Sequence, residues 1–242
     1  MADSAKGQLN GNTIKYIAIL AMLIDHIAIL VDLPVSVYFI MRIIGRLTAP
    51  VMCFFIAEGF RHTSSRKKYA VRLLIFAVIS QFPYVFFHYG TILTWQFLQD
   101  YNVIFTLLLS FWALWCYELI KNKILKWLTV LGIVILSVVC DWGGVAPLLT
   151  LTFYIFRDNK GRQAIAYAVL SLATVLSSVV FCLINGYNWY GELWQVGMLL
   201  FLPFIWLYNG ERGSRRPVHK WIFYVFYPLH LFVLGALGAW VI

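Results

Sequence analysis

The sequence predicts an all-α polytopic membrane protein: one helical bundle of about nine transmembrane helices, forming a single domain over residues 1–242, with its N-terminus in the cytoplasm. Hydrophobic residue types make up 62% of the chain and charged types 12%, against about 45–50% and about 25% in soluble domains. Such a chain has too few charges to coat a water-soluble surface and too many apolar residues to be disordered. Long apolar runs and a one-sided distribution of basic residues complete the prediction.

The apolar runs set the order of the predicted helices. Most are long enough to cross a bilayer, which takes about 20 residues, and they lack the polar–apolar alternation of a membrane barrel. Two of them, 124–140 and 142–156, are short and are separated only by the turn that begins at Asp141, so we expect two short tilted helices or a re-entrant pair. The nine runs are 14–31, 36–60, 70–88, 102–119, 124–140, 142–156, 163–184, 194–208 and 220–241.

The basic residues predict the orientation of the chain. Of its 19 lysines and arginines, 17 fall in the loops on the side of the N-terminus. The only charged residues in the opposite loops are acidic. This asymmetry is the positive-inside pattern of a protein in the inner (plasma) membrane, and it explains the net charge of +9 without a nucleic-acid partner. Aromatic residues in the opposite loops, Trp194 among them, are expected to anchor at the interface, with the lining of a substrate mouth as the alternative.

The two remaining basic residues, Arg42 and Arg46, lie inside the second run. They are four positions apart and therefore share one helix face. Each would cost about 2.5–3.5 kcal/mol on insertion scales if it faced lipid, so both are expected to face the bundle interior. Ionisable residues inside a membrane are functional candidates by default. The alternative is an ion pair that pins the second helix, with Asp25 as its partner.

Helix geometry places His26 near these arginines in depth. At the rise of a helix, His26 lies about 18 Å from the inner end of its run, while Arg42 and Arg46 lie about 9 and 15 Å from the outer end of theirs. In a hydrocarbon core of about 30 Å, His26 then falls between the two arginines. The neighbouring Asp25 points about 100° away around the helix. His26, Arg42, Arg46 and Asp25 are therefore the candidate site residues within the membrane, and depth alone does not assign their chemistry.

The residue types limit the chemistry of this cluster. A neutral buried histidine suits a general base, and arginines hold carboxylate, phosphate or a developing oxyanion. Three further polar residues are candidates on the substrate side: Asn102 and Asp141 at the outer ends of their runs, and His230 deep in the last run. The four cysteines show no ligand spacing, so no metal site is predicted. From the residues alone, a group-transfer enzyme and a transporter both remain open.

Several motifs carry a resemblance to a known family. They are the segment 19–27 around Asp25 and His26, the Arg42-Ile-Ile-Gly-Arg46 element, the run Phe54-Phe-Ile-Ala-Glu58-Gly-Phe60, and the segment 66–83. In this order they closely resemble the TraX family, which is named for a conjugation protein associated with N-terminal acetylation of pilin. The turn at 141–144 and the segment 227–230 extend the resemblance towards the C-terminus.

The same motifs resemble, more distantly, the broader group of membrane-bound acyltransferases. That resemblance implies that His26 is the catalytic base and that acetyl-CoA is the cytoplasmic acyl donor. Combined with the residue chemistry, the resemblance leads to the hypothesis that Arg42 or Arg46 stabilises the oxyanion or holds His26, with Asp25 beside them. Where the broader group has a serine, this chain has Glu58, as in the TraX pattern.

The basic loop after the second run is the expected docking point for the donor. Its phosphates would lie near Arg61, Arg66, Lys67 and Lys68, with Glu58 shaping the entrance; the alternative is ordinary positive-inside charge. The acceptor, an amine or hydroxyl of a pilin N-terminus, sugar, lipid or peptide, would enter from the outer side. Two other functions remain open: a small-anion transporter or channel that uses the arginine pair, and a non-catalytic assembly factor.

Overall fold

A computed structural model describes residues 7–241 of the chain and the side chains of residues 7–239. Within this range all regular structure is helical, so the predicted all-α class is confirmed. Lys6, one of the basic residues counted for sidedness, lies outside the described residues. The α-helices are α1 (Gly11–Leu30), α2 (Val35–Gly45), α3 (Thr48–His62), α4 (Arg66–Tyr89), α5 (Val103–Leu119), α6 (Lys123–Leu136), α7 (Val145–Ile155), α8 (Lys160–Ile184), α9 (Leu202–Leu207) and α10 (Pro217–Val241), and the 3₁₀ helices are Trp95–Leu98, Ser137–Val139 and Trp189–Phe201.

Every predicted apolar run coincides with helical structure, and the polytopic membrane fold is confirmed. In the described part of the chain, six helical segments are long and apolar enough to cross a membrane: Gly11–Leu30, Val35–His62, Arg66–Tyr89, Lys160–Ile184, Trp189–Leu207 and Pro217–Ala239. The pair predicted to be weak is short, with 14 residues in α6 and 11 in α7. A helix of the length of α7 rises about 16 Å, roughly half of the hydrocarbon core.

Polar caps and apolar outer faces explain where these helices begin and what surrounds them. Asparagine or serine side chains accept hydrogen bonds from the first turns of five helices, which satisfies amide groups that no helical carbonyl reaches. The outward faces keep large apolar side chains exposed, for example Leu20, Ile165 and Val169, each more than 60% exposed. Exposed apolar surface of this extent is what lipid contact requires.

The second predicted run is broken at the arginines. The sequence predicts a single helix over 36–60, but α2 ends at Gly45 and α3 begins at Thr48, with a turn at Arg46 and Leu47. Pro50 explains the break, because a proline ring clashes with the carbonyl four residues earlier, here that of Arg46. The Thr48 hydroxyl then donates a hydrogen bond to the Ala18 carbonyl, at 3.2 Å.

The chain forms two compact units, and each is described here by itself. The first comprises Met1–Val51 and Phe156–Phe223. In it α1 packs on α2, α2 packs on the 3₁₀ helix Trp189–Phe201, and that helix packs on α8. The second comprises Met52–Ile155 and Tyr224–Ile242, with α5 packed against α4, α6 and α7.

Candidate functional site

A buried ion cluster lies in the first unit, where the Asp25 carboxylate meets both arginines. Arg46 Nη2 donates hydrogen bonds to Asp25 Oδ2 at 2.9 Å and to Oδ1 at 3.2 Å. Arg42 Nη1 lies 2.9 Å from Asp25 Oδ1. All three side chains are 10–12% exposed. One carboxylate is thus shared by two guanidinium groups, so these three residues together carry one net positive charge in an apolar setting. This is the ion pair that the sequence left open as the structural alternative for the arginines.

Local sequence explains how the carboxylate reaches this position. Met22, Asp25 and Ala28 follow one another at helical spacing and are all buried, so Asp25 lies on the inner face of α1. Gly45 completes the fit, because a Cβ atom at this position would overlap the Asp25 side chain. Only a glycine lets the carboxylate lie against α2 between the two arginines. Sequence reasoning overlooked Gly45, although it stands inside the Arg42–Arg46 element.

The two arginines are held differently. Arg46 makes well-aligned hydrogen bonds to both oxygens of Asp25, whereas the Arg42 contact is ionic and lacks hydrogen-bond geometry. Among the residues that the structure describes, no acceptor meets the buried Nε of Arg42, and its Nη1 makes only the ionic contact with Asp25. Arg46 therefore holds Asp25 by hydrogen bonds, and Arg42 keeps a buried N–H group beside Trp194 that no acceptor in the described residues meets.

Trp194 covers the Arg42 side chain. The Arg42 guanidinium carbon lies 5.1 Å from the Trp194 ring centroid and 6.0 Å from that of Tyr38. Tyr38 also meets the Trp194 ring edge-on, at 5.7 Å. Glu192, two residues earlier on the same 3₁₀ helix, is close enough to act on Arg42 electrostatically. Trp194, expected to be an interface anchor, is thus part of the site, and no motif in the sequence pointed to it.

His26 is half-buried and is held by its own helix. Its Nδ1 lies 2.8 Å from the Met22 carbonyl oxygen. A carbonyl can only accept, so this hydrogen bond assigns the proton of the neutral imidazole to Nδ1 and the lone pair to Nε2. Asp25, one position earlier, is turned towards the arginines. The carboxylate therefore positions the guanidinium groups, while the backbone sets the tautomer of His26.

The basic residues predicted to bind the donor lie in the second unit and divide into two kinds. Arg66 Nη2 lies 2.5 Å from Glu118 Oε2, and the Arg66 guanidinium carbon lies 4.1 Å from the Phe60 ring centroid. The Tyr154 hydroxyl donates to the same glutamate. Glu58 lies 3.6 Å from the ring of His62. In contrast, Arg61, Lys67 and Lys68 are exposed, so Arg66 is a packed, charge-compensated residue and these three are not.

The predicted substrate-side residues also lie in the second unit. Asn102 is fully buried: its Nδ2 donates to the Ala77 carbonyl and to Gln81 Oε1, and its Oδ1 accepts from the amide of Ile104. The Asp141 carbonyl accepts a hydrogen bond from the Thr106 hydroxyl at 2.5 Å. His230 Nδ1 lies 2.8 Å from the Phe226 carbonyl, the same arrangement as in His26. The Asn102 side chain therefore uses its amide nitrogen and its oxygen in hydrogen bonds within the protein.

Comparison with known proteins places the chain in a family. It matches the family model for the TraX protein over residues 10–238. The chain belongs to the TraX family. It is 34% identical over 234 residues to the probable fimbrial assembly protein FimC, serogroup H1, of Dichelobacter nodosus, which covers 91% of this chain and 92% of that protein. It is also 37% identical over 97 residues to the uncharacterized protein RP591 of Rickettsia prowazekii (strain Madrid E), covering 40% of this chain and 33% of that one. No solved structure matches the chain.

Proposed function

We propose that this TraX-family protein is an inner-membrane acetyltransferase of fimbrial assembly, which moves an acetyl group from cytoplasmic acetyl-CoA to an amine or hydroxyl presented from the outer side. The observation that carries the proposal is Arg42, a buried guanidinium group whose Nε meets no acceptor among the described residues, while its Nη1 makes an ionic contact with Asp25. Buried donors of this kind suit an oxygen on which negative charge develops. The likeness to a protein named for fimbrial assembly supports the biological setting.

In the proposed reaction Arg42 acts on the carbonyl oxygen of the acetyl group. Acetyl-CoA is the donor substrate and supplies the thioester carbonyl. When the acceptor attacks the carbonyl carbon, the carbonyl π electrons move to oxygen, and the N–H groups of Arg42 stabilise that charge. Arg46 keeps Asp25 in place, and Asp25 in turn holds the Arg42 guanidinium near its position. Loss of one such donor in other enzymes lowers turnover by about 10²–10³-fold.

His26 handles the proton in this scheme. The tautomer set by Met22 leaves the lone pair on Nε2, which takes the proton of the attacking amine or hydroxyl. The tetrahedral intermediate then collapses, the carbon–sulfur bond breaks, and the imidazolium returns the proton to the CoA thiolate. The products are the acetylated acceptor and free CoA, and the histidine ends as it began.

The exposed cations of the second unit are the residues that we assign to the phosphates of the donor. Arg61, Lys67 and Lys68 offer positive charge to solvent, and phosphate groups bind such side chains by charge-assisted hydrogen bonds. Arg66 is left out of this assignment because Glu118 already neutralises it.

Two measurements on the purified full-length protein in lipid nanodiscs test the proposal. The first is CoA release from acetyl-CoA in the presence of primary-amine and hydroxyl acceptors, which we expect to exceed the rate of empty nanodiscs. The second is thermal stabilisation, since a ligand that binds the native state raises its stability. We expect stabilisation by CoA and acetyl-CoA. Stabilisation by chloride or acetate alone, with no CoA release, would instead favour a small-anion transporter.

A further inference from the structure

We propose that Trp194 supplies a second N–H donor, beside that of Arg42, to the acetyl oxygen on which negative charge develops. The inference rests on the proposed acetyl transfer and adds a residue to its site. Its starting point is the indole Nε1 of Trp194, which is buried without an acceptor in the described part of the chain. An indole nitrogen can only donate. A bound substrate with an oxygen atom near the Trp194 Nε1 would supply the missing acceptor.

Arg42, which lies beside Trp194, also has a buried N–H donor without an acceptor within the described range 7–239. Its buried Nε meets no acceptor among the described residues, and its guanidinium carbon lies 5.1 Å from the centre of the Trp194 ring. A guanidinium group also has no acceptor of its own, so these two neighbours cannot satisfy each other. A single oxygen that bears negative charge would accept hydrogen bonds from both side chains.

The Trp194 helix is held firmly enough to present a donor. Gly197 lies so close to the Ile43 carbonyl that a Cβ atom would overlap it, which seats the 3₁₀ helix directly on α2. On its other side the buried hydroxyl of Tyr167 donates to the Met198 carbonyl, which ties the helix to α8. Donors stabilise a transition state best when their support is rigid before the reaction starts.

The surroundings of the pair favour an oxyanion on a small apolar group. Tyr38 and Phe39 lie beside the Trp194 ring, with centroids 5.7 and 6.4 Å away. The nearby acidic group is Glu192, whose carboxylate lies 3.4 Å from the Gln195 amide nitrogen. An acetyl group offers a small methyl for aromatic walls of this kind and one oxygen for the two donors. In the reaction step the N–H groups of Trp194 and Arg42 donate to that oxygen as the thioester carbonyl becomes tetrahedral, and they release it when the CoA thiolate leaves.

Replacement of Trp194 by phenylalanine tests this role, because it removes the N–H group and keeps an aromatic ring over Arg42. We expect Trp194→Phe to lower kcat by about 10²–10³-fold, with the KM for acetyl-CoA unchanged. The matched control is Trp189→Phe, which alters an exposed residue of the same 3₁₀ helix and should leave kcat as in the wild type. Normal turnover of Trp194→Phe in a preparation whose wild type is active would overturn this inference alone. Absence of turnover in the wild type would overturn it together with the proposed function.

A second measurement covers the case in which the variant does not fold. Acetate, whose carboxylate resembles the oxyanion, is titrated into the wild-type protein carrying ¹⁵N-indole tryptophan in nanodiscs. The Trp194 indole signal is assigned by its absence from Trp194→Phe or from the more conservative Trp194→His. We expect this signal to shift on acetate addition while the Trp189 signal stays in place. A Trp194 signal that does not respond to acetate contradicts the proposed donor.

Discussion

Gly45 touches Asp25 so closely that a single added methyl group would overlap the aspartate side chain. The contact determines where the carboxylate lies and therefore which atoms the two arginines reach. A charged side chain inside a membrane is not solvated by water, so its stability depends on its ion pairs. The contact between Gly45 and Asp25 therefore affects the stability of the whole cluster.

Gly45→Ala is expected to destabilise the protein. The new methyl group must push the α1 and α2 backbones apart, and overpacking of this kind costs about 1–3 kcal/mol, to which the weakened ion pairs add. The measurement is thermal unfolding in nanodiscs. Gly132→Ala serves as the control, because a Cβ atom there meets open space. Equal unfolding temperatures for the two variants would show that the contact with Asp25 has no energetic role.

Removal of the shared carboxylate is expected to cost more than removal of one arginine. Asp25→Leu strands two buried cations, and breaking a buried ion pair costs about 3–5 kcal/mol. Arg46→Met leaves Asp25 beside Arg42, a neutral pair, so its cost is smaller. Denaturant titration of both variants measures the difference. The order of stability predicted is wild type, then Arg46→Met, then Asp25→Leu, and a reversed order of the two variants would contradict the shared-carboxylate arrangement.

His26→Ala is expected to abolish most turnover while leaving the fold intact. General-base catalysis contributes about 10²–10⁴-fold to a rate, and the His26 ring is only half-buried, so its loss opens little space. CoA release by the folded variant measures the effect. His62→Ala is the control, since that exposed histidine has no part in the reaction. Retention of wild-type kcat by His26→Ala would remove the histidine from the mechanism.

Replacement of the basic residues of the second unit is expected to affect either the binding of acetyl-CoA or the stability of the protein, depending on the residue. Lys67→Gln together with Lys68→Gln is expected to raise the KM for acetyl-CoA several-fold at unchanged kcat, because phosphate contacts are lost. Arg66→Gln is expected to lower the unfolding temperature instead, since it breaks the contact with Glu118 and the stacking on Phe60. Steady-state kinetics and thermal unfolding of each variant decide. An unchanged KM for acetyl-CoA in the double lysine variant would show that this loop does not bind the donor and carries only ordinary positive-inside charge.

The helices were predictable from the sequence because the length of an apolar run is a local property. The break at Arg46 was also encoded locally, in Pro50, although the apolar run continues through it. The nature of the cluster was partly predictable: helix geometry placed Arg42 and Arg46 on one face and turned Asp25 away from His26.

Other parts of the site depend on contacts between distant segments. The need for glycine at positions 45 and 197 arises only when another backbone or side chain comes within contact distance. Trp194 could not be separated from other aromatic residues at the interface until α2 was known to lie beneath it. The Arg66–Glu118 pair joins residues 52 positions apart, so the sequence alone could not distinguish Arg66 from its exposed neighbours.

The most direct test of the acetyl-transfer mechanism is the kcat for CoA release of Arg42→Gln, measured against Arg162→Gln, an exposed arginine of the same unit. Glutamine keeps polar atoms in place of Arg42 but removes the cationic fork of donors. We predict that kcat falls by about 10²–10³-fold in Arg42→Gln and stays at the wild-type value in Arg162→Gln. A folded Arg42→Gln protein that releases CoA at the wild-type rate would contradict the assignment of this buried guanidinium to the reacting oxygen.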